Sequence, residues 1–311
     1  MATMQAIRAR IKSVTSTQQI TRAMKMVAAS KLRKVQGRMM AVREYDNYGR
    51  EILKHLLIDS DIELNNPFTT PRKEVKKVAY VLIVGNRGLC GMYNSAVLHM
   101  LTDIMKEETR PYEVIVCGKW GKEVFKHRGI PVVKTFDELS DTPSILDCLE
   151  ISDYLKQAYL NEDYDEIHLV YQTYVSALSQ VPKNYQILPK EPQDIAVHAG
   201  FDYKPPFETD EDDPDDEPVI EYDYLYEPDR DTFVDSFMDL YIARRFQEAL
   251  LEAKCAEHSA RVQAMTSASD NTEKLIAKLQ LFYNRARQAA ITTEISEIVG
   301  GASALKKKRG K

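Results

Sequence analysis

Hydrophobic residues recur every three or four positions at both ends of the chain, whereas the middle contains short apolar runs. This spacing predicts two long amphipathic helices. The N-terminal stripe consists of Met4, Ile7, Ile11, Val14, Ala28, Leu32, Val35, Met39 and Val42. The C-terminal stripe consists of Ile242, Phe246, Ala249, Ala253, Ala256 and Ala260, and later of Leu275, Leu279, Phe282, Ala286 and Ala289.

The distribution of proline and glycine supports this interpretation. Residues 1–66 contain no proline, and residues 229–299 contain neither proline nor glycine, the two residues that interrupt helices. A helix cannot bury an apolar stripe alone, so the two ends are expected to pair as a long antiparallel coiled coil. An all-α bundle is the alternative, but it would need further helices of comparable length.

The middle of the chain alternates short β-branched runs with helical segments, which predicts an inserted, mostly parallel, Rossmann-like α/β domain. The expected helices lie near 93–108, 119–128 and 144–160. The expected strands are Val78–Val84, Glu113–Val116, Pro131–Phe136 and Ile167–Tyr174, with Tyr185–Leu188 as an antiparallel edge strand. The expected domains are an N-terminal helix (1–66), the α/β domain (67–200), an acidic, flexible insertion (201–229), and a C-terminal helix with a basic tail (230–311).

Charge is segregated along the 311 residues, although the whole chain carries only −5. Residues 1–50 hold eleven basic and two acidic residues, so 11 − 2 = +9. Residues 208–231 hold thirteen acidic residues and one arginine, so 1 − 13 = −12. A basic helix can bind nucleic acid, an anionic lipid surface or an acidic protein, or it can present a solvated face. The acidic run lacks the ligand spacing of an EF-hand, which favours a solvated loop over a cation site or a regulatory contact.

The sequence carries no recognisable catalytic constellation. The turn Gly85-Asn86-Arg87-Gly88-Leu89-Cys90-Gly91 follows the first strand, but it has neither dinucleotide-binding nor P-loop spacing. A tight strand-to-helix turn therefore explains it better than a nucleotide site does. The six histidines are scattered without metal-site spacing, and the four cysteines form no C-x-x-C pair. No cofactor is expected, and the isolated thiols suit a reducing compartment.

Two long motifs resemble one protein family. The first is the segment Ile11–Leu32, which contains Gln18-Gln19-Ile20-Thr21-Arg22-Ala23-Met24-Lys25-Met26-Val27-Ala28. The second comprises Asp270-Asn271 and the segment Leu281–Ala302. Together with Arg87–Gly91 and Glu252–Arg261, they resemble the gamma subunits of bacterial F-type ATP synthases over nearly the whole chain.

The resemblance implies a noncatalytic central shaft that turns inside a ring of three alpha and three beta subunits. It further implies an epsilon subunit and a membrane rotor of c subunits as partners, at the cytoplasmic face of the bacterial membrane. Met24 and Lys25 would face an acidic lever region of beta. The residues that would meet the catch loops of the ring are Arg287, Gln288, Thr292, Glu294 and Glu297.

Two segments depart from the family pattern. The acidic stretch from about Asp202 to Asp229 reads as an insertion without the paired cysteines of the chloroplast-type redox insertion, so we expect no thiol regulation. The basic tail 306–311 is expected to extend beyond the apolar bearing that holds the tip of the shaft. The chain starts without a secretory signal or transit peptide, which suggests a bacterial protein.

Two other functions remain open from the residues alone. An α/β nucleotide-binding enzyme with coiled-coil dimerisation arms would bind nucleotide as an isolated chain. A basic coiled-coil protein that binds nucleic acid would show a steeply salt-dependent affinity.

Overall fold

The two stripes form long helices, α1 (Met4–Ile58) and α5 (Arg230–Arg309). Helix α5 continues through Gly300 and Gly301, ten residues beyond the proline- and glycine-free segment. A glycine inside a helix costs only about 1 kcal/mol relative to alanine, so two glycines do not end a helix this long. Among the described residues, no helix has an apolar stretch long enough to cross a membrane.

The computed structural model describes residues 4–58, 66–137, 139–191, 194 and 227–309. These residues divide into two units. The sheet unit comprises residues 29–260, and the helical unit comprises residues 1–28 and 261–311. Most of the predicted acidic insertion, residues 201–226, lies outside the described residues.

The sheet unit confirms the α/β prediction with five strands in the order β3-β2-β1-β4-β5. Strands β1 to β4 are parallel, and β5 pairs antiparallel with β4. The strands are β1 Val78–Ile83, β2 Tyr112–Cys117, β3 Val132–Phe136, β4 Glu166–Tyr174 and β5 Gln180–Leu188. The connecting helices are α2 Tyr93–Glu107, α3 Lys122–His127 and α4 Ile145–Leu160.

Both faces of the sheet are covered. Side chains of α2 and α3, including Leu101 and Phe125, pack on one face. Helix α4 and the first part of α5 pack on the other, where Leu155, Phe246 and Leu250 are almost completely buried. Because both faces are covered, the inner strands β1, β2 and β4 are buried along most of their length. The outer strands β3 and β5 are largely half-buried or exposed.

The first part of the apolar stripe of α5 has a different partner from the one that we predicted. Phe246, Ala249 and Ala253 pack against the sheet, whereas Leu251 and Cys255 meet the α1 residues Val35, Met39 and Val42. The helix is buried on nearly all sides from Ala249 to Ala260. The spacing of apolar residues therefore could not distinguish the side of α5 that faces the sheet from the side that faces α1.

In the helical unit, α1 and α5 run antiparallel. The Arg8 guanidinium donates a 2.8 Å hydrogen bond to the Tyr283 hydroxyl, and Arg22 lies 3.6 Å from the Glu273 carboxylate. Moving forward along α1 therefore means moving backward along α5. Met265 and Ser269 of α5 and Ala28 of α1 are buried in this unit.

A polar cluster closes the amino-terminal edge of the sheet. Arg110 donates to the Glu108 carboxylate at 2.9 Å and reaches Glu166 on β4 at 3.0 Å, while the Tyr80 hydroxyl donates to Glu108 at 2.7 Å. The Arg110 hydrogen bond lowers the pKa of Glu108 from 4.5 to about 2. Burial, reinforced by Glu108, raises the pKa of Tyr80.

We expect Glu108→Gln to lower the free energy of unfolding of the sheet unit at neutral pH by about 2 kcal/mol, because hydrogen bonds to charged groups contribute about 1.5–3 kcal/mol. Since folding depresses this pKa, the carboxylate stabilises the fold above pH 4.5 and loses its effect as pH falls towards 2. The difference between variant and parent should therefore disappear across that interval.

The fluorescence of Trp120, the single tryptophan of the chain, offers a local readout for urea unfolding. Its backbone N–H donates to the Gly85 carbonyl at 3.0 Å, inside the sheet unit. Glu107→Gln, at the exposed neighbouring position, is the matched control. An equal pH dependence in both variants would refute the proposed role of Glu108.

Candidate partner-contact surface

The seven residues predicted to contact a partner all lie in the helical unit. Met24 and Lys25 are half-buried on α1. The α5 residues are all exposed: Arg287, Gln288, Thr292, Glu294 and Glu297. The Thr292 hydroxyl donates to the Gln288 carbonyl at 2.9 Å, within the helix. The side chains of the α5 residues are thus available to a partner.

The structure places the two groups at different levels of the helix pair. Because Arg22 meets Glu273, Met24 lies opposite α5 residues about two positions earlier, near Asn271. From there to Arg287 is roughly 16 residues, or about 24 Å along the helix. A partner that touches both groups must therefore offer two separate contacts.

The end of α5 carries an exposed apolar surface that the sequence interpretation missed. The exposed fractions are 47% for Ile291, 56% for Ile295, 71% for Ile298 and 58% for Val299. Arg8 meets Tyr283, so Met4 lies about one turn further along α5, near Arg287. Beyond that level, no described part of α1 lies opposite α5.

This surface has the character of an interface. Contiguous apolar side chains that remain exposed on a soluble chain mark binding surfaces. The apolar residues alternate with the predicted contact residues, since Glu294 and Glu297 neighbour Ile295 and Ile298. The spacing of 291, 295 and 298 is itself a sequence signal, but it is identical to that of a buried stripe.

Positive charge dominates the α1 side of the helical unit. Residues 1–28 contain five basic residues and no acidic one. The Arg22 and Glu273 side chains are 57% and 68% exposed, so their ion pair contributes little. The basic face therefore remains available to an acidic partner.

The glycine-rich turn lies where α/β proteins bind nucleotides. Strand order reverses between β1 and β4, and ligands bind beyond the carboxyl ends of strands at such a point. Here the position is filled from within the chain. A methyl group placed on Gly85 would lie 3.1 Å from Cδ and Oε1 of Glu257 on α5. The Gly85 N–H donates to Asn94 Oδ1 at 2.9 Å, so this amide is not free for a phosphate.

The charged residues on this part of α5 have charged neighbours. Lys254 Nζ donates to Glu257 Oε2 at 3.0 Å, and the two side chains are only 2% and 4% exposed. Asp141, which follows β3, accepts a 2.6 Å hydrogen bond from Lys31 on α1 and lies 3.9 Å from His258 Nε2. Burial raises the pKa of Asp141, but Lys31 and the nearby cations outweigh burial and hold that pKa below its ordinary value.

A cleft of about 530 Å³ lies between α4 and the start of α5. Its lining carboxylates are engaged with neighbouring groups. Lys156 contacts Asp153 and Asp239, and Asn66 Nδ2 donates to Asp235 at 2.7 Å. These contacts join α4 to α5 and account for the acidic lining without a bound ligand.

Comparison with known proteins supports the resemblance. A family model described as ATP synthase matches residues 3–305. The ATP synthase gamma chain of Moorella thermoacetica is 39% identical over 98% of this chain and 100% of its own length. That of Symbiobacterium thermophilum is 38% identical over 96% and 97% of the two chains. That of Legionella pneumophila is 36% identical over 98% of this chain and all of its own.

Solved structures share the fold. A chain of the OSCP/F1/c-ring assembly of the Euglena gracilis mitochondrial ATP synthase superposes with a TM-score of 0.65 at 20% identity, covering 97% of this chain and 94% of its own. A rotor chain from the same enzyme gives a TM-score of 0.62 at 21% identity, covering 93% of this chain and 98% of its own. With the family model and the relatives matching nearly end to end, the chain belongs to the ATP synthase gamma-chain family.

Proposed function

We propose that this chain is the central rotating shaft of an F-type ATP synthase and that it couples ion flow through a membrane rotor to ATP synthesis and hydrolysis. The observation that carries the proposal is the exposed α5 surface around Ile291, Ile295 and Ile298, which lies within the segment Leu281–Ala302 that resembles the family. Such a surface needs a surrounding protein, and a ring of subunits would supply one.

The shaft itself performs no chemistry in this proposal. Three alpha and three beta subunits form the catalytic ring, and an asymmetric shaft contacts each beta subunit differently. Rotation then changes which conformation of each beta subunit is favoured, because the contact free energy differs between conformations. Met24 and Lys25 would contact the acidic lever of beta, and Arg287, Gln288, Thr292, Glu294 and Glu297 would contact the ring above it.

The remaining assignments follow from the same proposal. The helix pair forms an antiparallel coiled coil (1–66 and 230–311) around an inserted Rossmann-like domain (67–200), with the acidic segment 201–229 as an insertion. The epsilon subunit and the c-ring bind the chain, and the complex lies at the cytoplasmic face of a bacterial membrane. The Glu257 carboxylate against Gly85 argues against the alternative of a nucleotide-binding enzyme.

Charge reversal tests the contact surface. When the chain is co-expressed with alpha and beta subunits of its own organism, we expect Arg287→Glu and Glu294→Lys each to lower ATPase activity at least tenfold, since a reversed charge at a complementary interface costs several kcal/mol. Native mass spectrometry would first establish one copy per three alpha and three beta.

Lys126→Glu is the control, because Lys126 is exposed on α3 in the sheet unit, whereas all the proposed contact residues lie in the helical unit. It should leave ATPase activity within twofold of the parent. Equal losses in all three variants would show that the effect is not specific to the proposed surface. Failure of the parent chain to join the ring would overturn the proposal itself.

A further inference from the structure

We propose that Lys25 couples contact with an acidic partner to the pairing of α1 with α5, because a partner carboxylate that binds the Lys25 ammonium stabilises the helix pair. The inference rests on the proposed shaft function, which makes Lys25 a contact residue for the beta subunit. It adds that the same residue belongs to the surface between the two helices. The contact therefore changes how firmly α1 and α5 are held together.

Lys25 lies on the face of α1 that pairs with α5. A stripe with the spacing of three and four that is typical of paired helices consists of Gln18, Thr21, Lys25 and Ala28. Gln18 and Thr21 are buried, and α5 is the other described helix of the helical unit that covers them. Lys25 is half-buried and continues this covered stripe, whereas Lys12 of the same helix is exposed.

The described residues that surround Lys25 on this stripe and opposite it are polar but uncharged. On the α5 side, Ser269 is buried and Thr272 is half-buried. The Thr272 hydroxyl donates to the Ser269 carbonyl at 2.8 Å. The Thr21 hydroxyl donates to the Gln18 carbonyl at 3.0 Å, so each hydroxyl hydrogen is used within its own helix. These hydroxyls can accept a hydrogen bond from an ammonium group, but they cannot neutralise its charge.

The carboxylates at this level of the helix pair do not compensate Lys25. Glu273 lies 3.6 Å from Arg22, which places Lys25 opposite α5 residues near Asp270, and Asp270 is exposed. The Lys25 ammonium makes no hydrogen bond or ion pair with any residue that the structure describes. The helix pair therefore holds a half-buried cation without a counter-charge, and this weakens the pairing because burial disfavours an unpaired charge.

An acidic partner would supply the missing charge. A lysine side chain lays its methylene stem along a covered surface and keeps its ammonium at the edge, in water, where a partner carboxylate can reach it. Residues 1–28 contain no acidic residue, so a carboxylate that approaches α1 on this side meets only positive charge on that helix. By reciprocity, the free energy by which the contact stabilises the helix pair equals the free energy by which pairing favours the contact.

Amide hydrogen exchange followed by mass spectrometry tests this coupling, because it reports the local opening of each helix segment. The full-length chain is measured alone and in complex with the alpha and beta subunits of its own organism. In the chain alone, we expect Lys25→Met to slow exchange across residues 18–28 about tenfold, since it removes the unpaired charge. The protection that this segment gains on assembly should be about tenfold smaller in Lys25→Met than in the parent.

Two further variants make the result specific to the charge at this position. Lys25→Arg retains the positive charge, so it should match the parent within about threefold in both states. Lys12→Met is the matched control, because it removes one positive charge from an exposed position of the same helix. It should change exchange across residues 18–28 by less than about twofold.

The outcomes separate this inference from the proposed function. Equal slowing in Lys25→Met and Lys12→Met would overturn the inference. An equal gain of protection on assembly in the parent and in Lys25→Met would also overturn it, because a lysine with a purely structural role predicts that result. A parent chain that does not join the ring would instead refute the shaft function, while the measurements on the chain alone would still decide whether Lys25 weakens the helix pair.

Discussion

The substitution Gly118→Ala should lower the free energy of unfolding of the sheet unit by about 4 kcal/mol. Gly118 has a φ of +123°, a conformation that residues with a side chain rarely adopt. A Cβ there would lie 2.3 Å from the Val84 carbonyl oxygen. Since Val84 and Cys117 share a backbone hydrogen bond at the end of β1 and β2, relief of this overlap would require the two strands to separate.

The substitution Gly129→Ala distinguishes the cost of a positive φ from the cost of the steric overlap. Gly129 also has a positive φ, of +65°, but nothing lies within 4 Å of its Cβ position. The substitution should therefore lower the free energy of unfolding by only about 1 kcal/mol, which is the penalty of a left-handed residue. Both variants are compared with the parent by urea unfolding, with Trp120 fluorescence as the readout. Similar midpoints for the two would contradict the steric argument.

The second large effect on stability is expected at Phe246, where α5 packs against the sheet. Phe246 is completely buried in the core that α4 and α5 form on the sheet. We expect Phe246→Ala to lower the free energy of unfolding by about 3–5 kcal/mol, because it removes a large apolar side chain and leaves a cavity.

Leu240→Ala, on the same helix, is the matched control, since Leu240 is 40% exposed. This substitution should lower the free energy of unfolding by less than about 1 kcal/mol. The same urea titration, followed by Trp120 fluorescence, distinguishes the two. A Phe246→Ala midpoint that coincides with that of Leu240→Ala would mean that α5 does not depend on this contact.

Much of the fold could be predicted because its elements have strong patterns. Strands β1 to β4 lie within a residue or two of their expected limits, because each is a short run rich in β-branched or aromatic residues that contrasts with its flanking turns. Strand β5 begins at Gln180, five residues before the predicted Tyr185. Its first half contains Gln180, Pro182, Lys183 and Asn184, and an edge strand tolerates such residues because one side has no partner strand.

The candidate site also has a part that the sequence could predict and a part that it could not. The seven contact residues came from the resemblance of whole motifs, and their contacts remain predictions. The approach of the Glu257 carboxylate to Gly85 could not be predicted, because it brings α5 against a glycine 172 positions earlier in the chain. A signal is present in the sequence, because Lys254 and Glu257 are charged residues, three apart, inside an alanine-rich helical stretch.

Direct observation of rotation tests the central proposal most directly. All four cysteines are buried, and Leu178 in the β4–β5 turn is 85% exposed, so Leu178→Cys provides a selective attachment point for a reporter particle. With the alpha–beta ring fixed to a surface and ATP supplied, the particle should turn in one direction in steps of ~120°, as a ring of three equal catalytic units requires. A particle that stays still, or fluctuates equally with and without ATP, would contradict the role of this chain as a rotating shaft.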